Sequence, residues 1–190
     1  MNIEHLFPTT IGYEFCPFHT DIEKKLVDYC NSFSDKYNNK ESFLNNGQLF
    51  TTFQKHNLLQ DKQFDKLNKW VVDKIREYMK QTTMSYDMKF EGEAFFNIYN
   101  KHDYQEEHNH FGFVISCIYF LKANNKASKV FFRPHVFDNI KYDNFTYSPS
   151  TPVFYKAQPG KLLIFRSYID HFVEQHLDKE QRISLAYNFR

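Results

Sequence analysis

The sequence predicts a mainly β fold with flanking helices (α+β): a sandwich or barrel with its helices on the outside. Three observations carry this. Apolar residues recur with a helical period in the first part of the chain and with a period of two from residue 88 onward. The period-two part breaks into short runs separated by Gly, Pro, Asn and Asp clusters, as in many-stranded β architectures. Aromatic residues make up 19% of the 190 residues, with 22 Phe and 13 Tyr, and flat rings pack well on pleated surfaces. A chain of this length can bury a full core. It reads as a single domain over 1–190, with an extended segment and supporting helices in 1–87 and a β core in 88–190.

The elements follow in order. Residues 1–19, with Ile3, Leu6, Phe7, Ile11, Tyr13 and Phe15, read as extended and broken at Pro8. Thr20-Asp21-Ile22-Glu23 has the form of a capping box. The helix after it places Ile22, Leu26, Cys30 and Phe33 on one stripe. Asn38-Asn39 and Asn45-Asn46-Gly47 mark loops. A second helix, from about Asp61 to Gln81, aligns Phe64, Leu67, Val71, Ile75 and Tyr78 against a charged opposite face. The β-like runs are Glu93–Tyr99, Phe113–Leu121, Lys129–Arg133, Thr151–Lys156, Lys161–Phe165, His171–Gln175 and Arg182–Phe189.

Charge excludes little but points away from polyanions. The formal net charge is +1, from 24 basic and 23 acidic residues, with no basic cluster to attract nucleic acid or an anionic membrane. No apolar run has the length of a membrane span. The first residues lack the basic start and apolar stretch of a signal peptide. Cys16, Cys30 and Cys117 are too widely spaced for a disulfide framework or a thiolate zinc site. They read as reduced thiols of a cytoplasmic protein, with Cys117 in the core.

The chemistry lies in the β part. In His108-Asn109-His110, an extended backbone would put both imidazoles on one face, together with Glu106. Imidazole pairs suit iron, zinc or copper. Taken alone, His-x-His is a weak signal and more often marks a histidine-rich polar loop. His171 follows a turn and a buried run, Pro159 to Phe165, which places it at the mouth of a strand. In Arg182-Ile183-Ser184-Leu185-Ala186-Tyr187-Asn188, alternation sets Arg182, Ser184, Ala186 and Asn188 on one face. An interior arginine requires an anionic partner, either a structural acid or a bound carboxylate, which the guanidinium fork would grip bidentately. Asn97 and Tyr99 share a face of the preceding strand and can also hydrogen-bond a ligand.

In order and spacing, these segments resemble the 2-oxoglutarate/iron(II)-dependent oxygenases, and within them the branch found in marine phages and bacteria. The resemblance runs from Leu6-Phe7-Pro8-Thr9 through Asn57-Leu58-Leu59 and the Phe64–Leu67 helix. It is strongest from Phe96-Asn97-Ile98-Tyr99 through His108-Asn109-His110 and Ser116-Cys117-Ile118-Tyr119-Phe120-Leu121. It closes with Pro159 to Phe165, His171 and Arg182-Ile183-Ser184. It implies a double-stranded β-helix, a jelly-roll barrel, over 88–190. It also implies iron(II) as metal, 2-oxoglutarate as cosubstrate, O2, and hydroxylation of a C–H bond with release of succinate. His108 and His171 match the family's two histidine ligands. Arg182 and Ser184 match its pair for the distal carboxylate of 2-oxoglutarate, and Asn97 and Tyr99 fall in a stretch that touches the cosubstrate.

This chain departs from the pattern at His110, where the family carries a carboxylate. His110 is taken as the third ligand; Glu106 or Asp170 supplying a carboxylate, or an open position, are the alternatives. Arg166 stands where the pattern has proline and is expected at the surface. The expected substrate is a protein or peptide side chain or a small metabolite, with nucleic acid and membrane disfavoured. Residues 100–107 and 134–150, the latter with His135, Phe137, Tyr142, Phe145 and Tyr147, are the expected lid. Competing readings are a three-histidine dioxygenase of cupin type without 2-oxoglutarate, and a catalytically silent binding barrel. The expected location is the cytoplasm, that of the host for a phage protein.

Overall fold

The structure, a computed structural model, describes residues 9–37, 49–82, 89–133 and 152–190. The strands and helices are β1 (Ile11–Phe15), α1 (His19–Lys36), β2 (Phe50–Thr51), α2 (Asp65–Gln81), β3 (Gly92–Tyr99), β4 (Gln105–His108), β5 (Ile115–Lys122), β6 (Val130–Phe132), β7 (Val153–Tyr155), β8 (Lys161–Arg166), β9 (His171–Val173) and β10 (Arg182–Phe189). They form a six-stranded sheet in the order β1-β8-β5-β10-β3-β2 and a four-stranded sheet in the order β4-β9-β6-β7. The strand pairs are antiparallel.

The four inner strands of the larger sheet, β8, β5, β10 and β3, are buried on both faces, and their alternation sorts side chains between two cores. Ile98, Tyr119, Leu121, Leu162, Ile164, Ile183, Leu185 and Tyr187 point outward. There they pack with Leu26 and Cys30 of α1 and Leu67, Val71 and Ile75 of α2. Tyr99, Ile118, Phe120, Leu163 and Phe165 point the other way and meet Val130, Phe132 and Val173 of the smaller sheet. Each fully buried side chain of this size contributes about 1.5–3 kcal/mol. The helices therefore cover one sheet, as the periodicity predicts. The space between the sheets is left for the chemistry.

The helix starts differ from the sequence reading. α1 begins at His19, after Phe18, with no side-chain cap, and Thr20 is exposed within its first turn. The capping box does not form because His19 is anchored first. Its Nδ1 lies 2.8 Å from the Tyr119 hydroxyl, and its N–H reaches the Cys16 carbonyl at 3.2 Å. Gly160, at φ 80°, sits against the imidazole so closely that a Cβ there would meet the ring at 2.9 Å. Ahead of α2 the chain winds through two 3-10 turns, Leu58–Gln60 and Lys62–Phe64. Asp61 caps the second by accepting from the Gln63 N–H at 2.9 Å, so the true α-helix begins at Asp65 and not at Asp61. Phe64, Leu67, Val71, Ile75 and Tyr78 are all buried.

β1 and β2 come from the first half of the chain and complete the edges of the larger sheet. At two residues, β2 is too short to show a period. Gly92 lets the end of β10 approach closely, since a Cβ there would run into the Asn188 carbonyl. The three cysteines are buried and free. No helix among the described residues is long and apolar enough to cross a membrane.

Candidate metal centre and anion pocket

β4 and β9 deliver two of the histidines. His108 closes β4, His171 opens β9, and the two are register partners. Their ring centroids lie 4.3 Å apart. A register irregularity between Gln105 and His108 ends the regular pairing, and the chain turns. His110 therefore stands beyond the strand, held by its N–H to the Ser167 carbonyl at 2.9 Å. Its ring lies 5.1 Å from His108 and 5.2 Å from His171. One nitrogen from each histidine falls within 4.8 Å of the others, a grouping that could hold a metal ion.

Burial keeps these rings neutral, which is the ligating form. His171 is held well below its ordinary range by burial and then by its two neighbours. His110 is pushed down to about 3 by burial and by His108. His108 is also lowered by burial, against the opposing pull of the Glu106 carbonyl and Asp170. Phe132 and Phe165 flank His171. In His108 and His171 the Nδ1 faces a carbonyl, of Glu106 at 2.7 Å and of Ile169 at 3.0 Å. A carbonyl only accepts, so Nδ1 carries the proton and Nε2 keeps the lone pair for a metal.

Strand register builds the other half of the site. Across β10 and β3, Arg182 pairs with Tyr99 and Ser184 with Asn97. Arg182 is fully buried, and its three guanidinium nitrogens have no hydrogen-bond partner among the described residues. Its guanidinium carbon lies 4.4 Å from the Tyr99 ring centroid and 5.3 Å from that of Phe120. Asn97 Oδ1 is likewise buried without a partner. Arginine stays protonated in proteins, and leaving such a charge uncompensated costs several kcal/mol. A buried guanidinium so placed could take an anion. Arg182, Ser184, Asn97, Tyr99 and the three histidines line one cavity of about 240 Å³.

Several expectations need correction. Residues 100–107 are not simply a lid loop, because Gln105–His108 is β4. Glu106 does not share a face with both histidines, since His110 lies past the strand. The Glu106 side chain is exposed, and its carbonyl serves His108. Among the described residues no carboxylate joins the histidine group, and Asp170 accepts a hydrogen bond from Asn109 at 2.7 Å. Arg166 is half-buried at the end of β8 and does not line the cavity. The 134–150 segment, with its aromatic residues, and the opening Leu6-Phe7-Pro8 lie outside the described residues.

Sequence reasoning missed Phe53 and Phe95, which line the cavity as an edge-on pair 4.9 Å apart. An apolar residue in a loop or strand carries no signal that separates a cavity wall from ordinary core.

Two facing antiparallel sheets with this site between them define a double-stranded β-helix. A prolyl-4-hydroxylase from Pseudomonas putida has the same fold: TM-score 0.63 at 15% identity, over 96% of this chain and 92% of that one. So does a prolyl hydroxylase from Trichoplax adhaerens, solved in complex with a hypoxia inducible factor oxygen degradation domain peptide fragment. It gives a TM-score of 0.62 at 11% identity, over 94% of this chain and 82% of that one. No curated protein sequence matches the chain. Residues 93–188, just over half of the chain, match the family described as "Putative 2OG-Fe(II) oxygenase". The chain belongs to the 2OG-Fe(II) oxygenase family, whose cofactor set is iron(II), 2-oxoglutarate and O2.

Proposed function

We propose that the chain is a 2-oxoglutarate- and iron(II)-dependent dioxygenase that hydroxylates a C–H bond of a protein or peptide side chain or of a small metabolite. The observation that carries this reading is the fully buried Arg182 guanidinium, which has no hydrogen-bond partner among the described residues and lies in the same cavity as the three histidines. A metal site alone would not explain a buried cation awaiting an anion; a dicarboxylate cosubstrate does. The fold shared with two prolyl hydroxylases, one solved with a peptide, favours a protein or peptide substrate.

On this reading His108, His110 and His171 hold the iron. Arg182 and Ser184 grip the distal carboxylate of 2-oxoglutarate, and Asn97 and Tyr99 flank it. With O2, the iron and 2-oxoglutarate supply the oxidation: substrate gains a hydroxyl oxygen while 2-oxoglutarate is released as succinate and carbon dioxide. The protein's own contribution is orientation and exclusion of water. The Glu106 and Ile169 carbonyls fix two imidazoles in the tautomer that presents Nε2. Phe53, Phe95, Phe165 and Val173 give the cavity apolar walls, within which each polar contact is stronger than in water.

Anaerobic addition of iron(II) and 2-oxoglutarate to the purified protein is expected to produce a visible metal-to-ligand charge-transfer band, absent in Arg182→Ala. Iron bound with no band would point to a three-histidine dioxygenase that needs no 2-oxoglutarate. No iron at all would point to a silent barrel.

A further inference from the structure

The third histidine is held differently from the other two. Where His108 and His171 each have a carbonyl at Nδ1, His110 has a side-chain amide. Asn188 Nδ2 lies 3.4 Å from His110 Nδ1. The orientation of that amide is determined by its other contacts. Ser116 Oγ donates to Asn188 Oδ1 at 2.8 Å, and Asn188 Nδ2 donates to Glu93 Oε1 at 3.0 Å. A carboxylate only accepts, so the nitrogen edge must face Glu93, and its second hydrogen is left for the imidazole, 3.4 Å away. Asn188 and Ser116 are each 1% exposed. Ser116 Oγ also lies 2.8 Å from Ser167 Oγ, and the Ser167 carbonyl holds the His110 N–H. Ring and amide are thus tied into one network at both ends. A ring nitrogen facing an N–H must present its lone pair, which leaves the imidazole proton on Nε2.

We propose that Asn188 is a positioning residue that latches His110 with its Nδ1 lone pair occupied. His108 and His171 are then a preset pair, and His110 joins the metal only by giving up Asn188. This rests on the reading of the three histidines as the iron site. It holds for coordination by either nitrogen. Coordination through Nδ1 competes with the amide for the same lone pair. Coordination through Nε2 requires the proton to move to Nδ1, where it would face the Asn188 N–H. Glu93 acts through Asn188 by fixing which edge of the amide meets the ring. A carboxylate ligand would carry no such tautomer, so the latch is specific to a histidine at position 110.

Two-bond ¹⁵N–¹H correlation spectra of the metal-free protein test this, with each ring assigned through its His→Ala variant. His108 and His171 are expected to be protonated on Nδ1 and His110 on Nε2. In the Glu93→Gln/Asn188→Asp double variant the new carboxylate accepts from both neighbours. The His110 proton should then move to Nδ1, and cobalt(II) binding should tighten about tenfold, the scale on which partners of ligating histidines act. Wild-type His110 protonated on Nδ1, or cobalt(II) bound no more tightly by the double variant, would overturn the latch. His108→Ala and His171→Ala binding cobalt(II) as wild type does would instead overturn the site reading.

Discussion

A buried guanidinium with no hydrogen-bond partner is destabilising, and among the described residues Arg182 has none. Replacing even a buried ion pair with apolar side chains of similar volume is often neutral or stabilising by about 1–4 kcal/mol, and a buried cation with no hydrogen-bond partner has less to lose. Arg182→Met is therefore expected to make the metal-free protein as stable as wild type or more so in urea unfolding, while abolishing 2-oxoglutarate binding by calorimetry. A less stable variant would mean that Arg182 has a structural role instead. At this scale much was legible. The alternation of Arg182, Ser184, Ala186 and Asn188 told which side chains share a face, and the first three of them line one cavity. The orientation of the Asn188 amide was not legible, because Ser116 and Glu93, which set it, lie 72 and 95 residues away in sequence.

Between elements, one polar cluster ties α1 to the turns that lead into α2. The Tyr29 hydroxyl donates to Asp61 and lies 3.1 Å from His56 Nε2, which is itself 2.9 Å from Asp61 Oδ2. Burial alone would raise the Asp61 carboxyl. Hydrogen bonds from Tyr29, the Gln63 N–H and His56 outweigh it and hold the group below its ordinary 3.8. The folded value thus lies below the unfolded one. The resulting stabilisation is complete above about pH 4 and is lost as pH falls through the lowered value. Asp61→Asn is expected to lose about 2 kcal/mol at pH 7 and to show a flatter decline than wild type below pH 4 in denaturant titrations. Parallel acid limbs in the two proteins would remove Asp61 from the account. The same scale explains why α1 does not start at its capping box. The contacts of His19 with Tyr119 and Gly160 are tertiary, and they override a local signal worth about 1 kcal/mol.

For the whole molecule, the cavity between the sheets couples ligand binding to stability. Iron(II) and 2-oxoglutarate would bind the assembled site and not the unfolded chain, whose histidines and Arg182 are scattered. At a hundred times the dissociation constant a ligand adds about 2.7 kcal/mol. For a protein of this size that raises Tm by roughly 5–10 °C. Anaerobic thermal unfolding with both ligands should show this shift, and Arg182→Ala should lose the part due to 2-oxoglutarate. An unchanged wild-type Tm at saturating ligand would count against the preformed pocket.

By itself the sequence determined the β-rich class, the amphipathic stripes of both helices, and the residues available for metal and anion. Hydrophobic period and residue chemistry are local properties that survive in one dimension. Only the tertiary structure decided that β1 and β2 complete the larger sheet, that His110 leaves the strand, and that among the described residues no carboxylate joins the histidine group. It alone left the Arg182 guanidinium with no hydrogen-bond partner among the described residues and set an amide against the third imidazole. Each of these depends on which distant strands become neighbours, and strand register is settled by the burial of whole sheet faces rather than by any one segment.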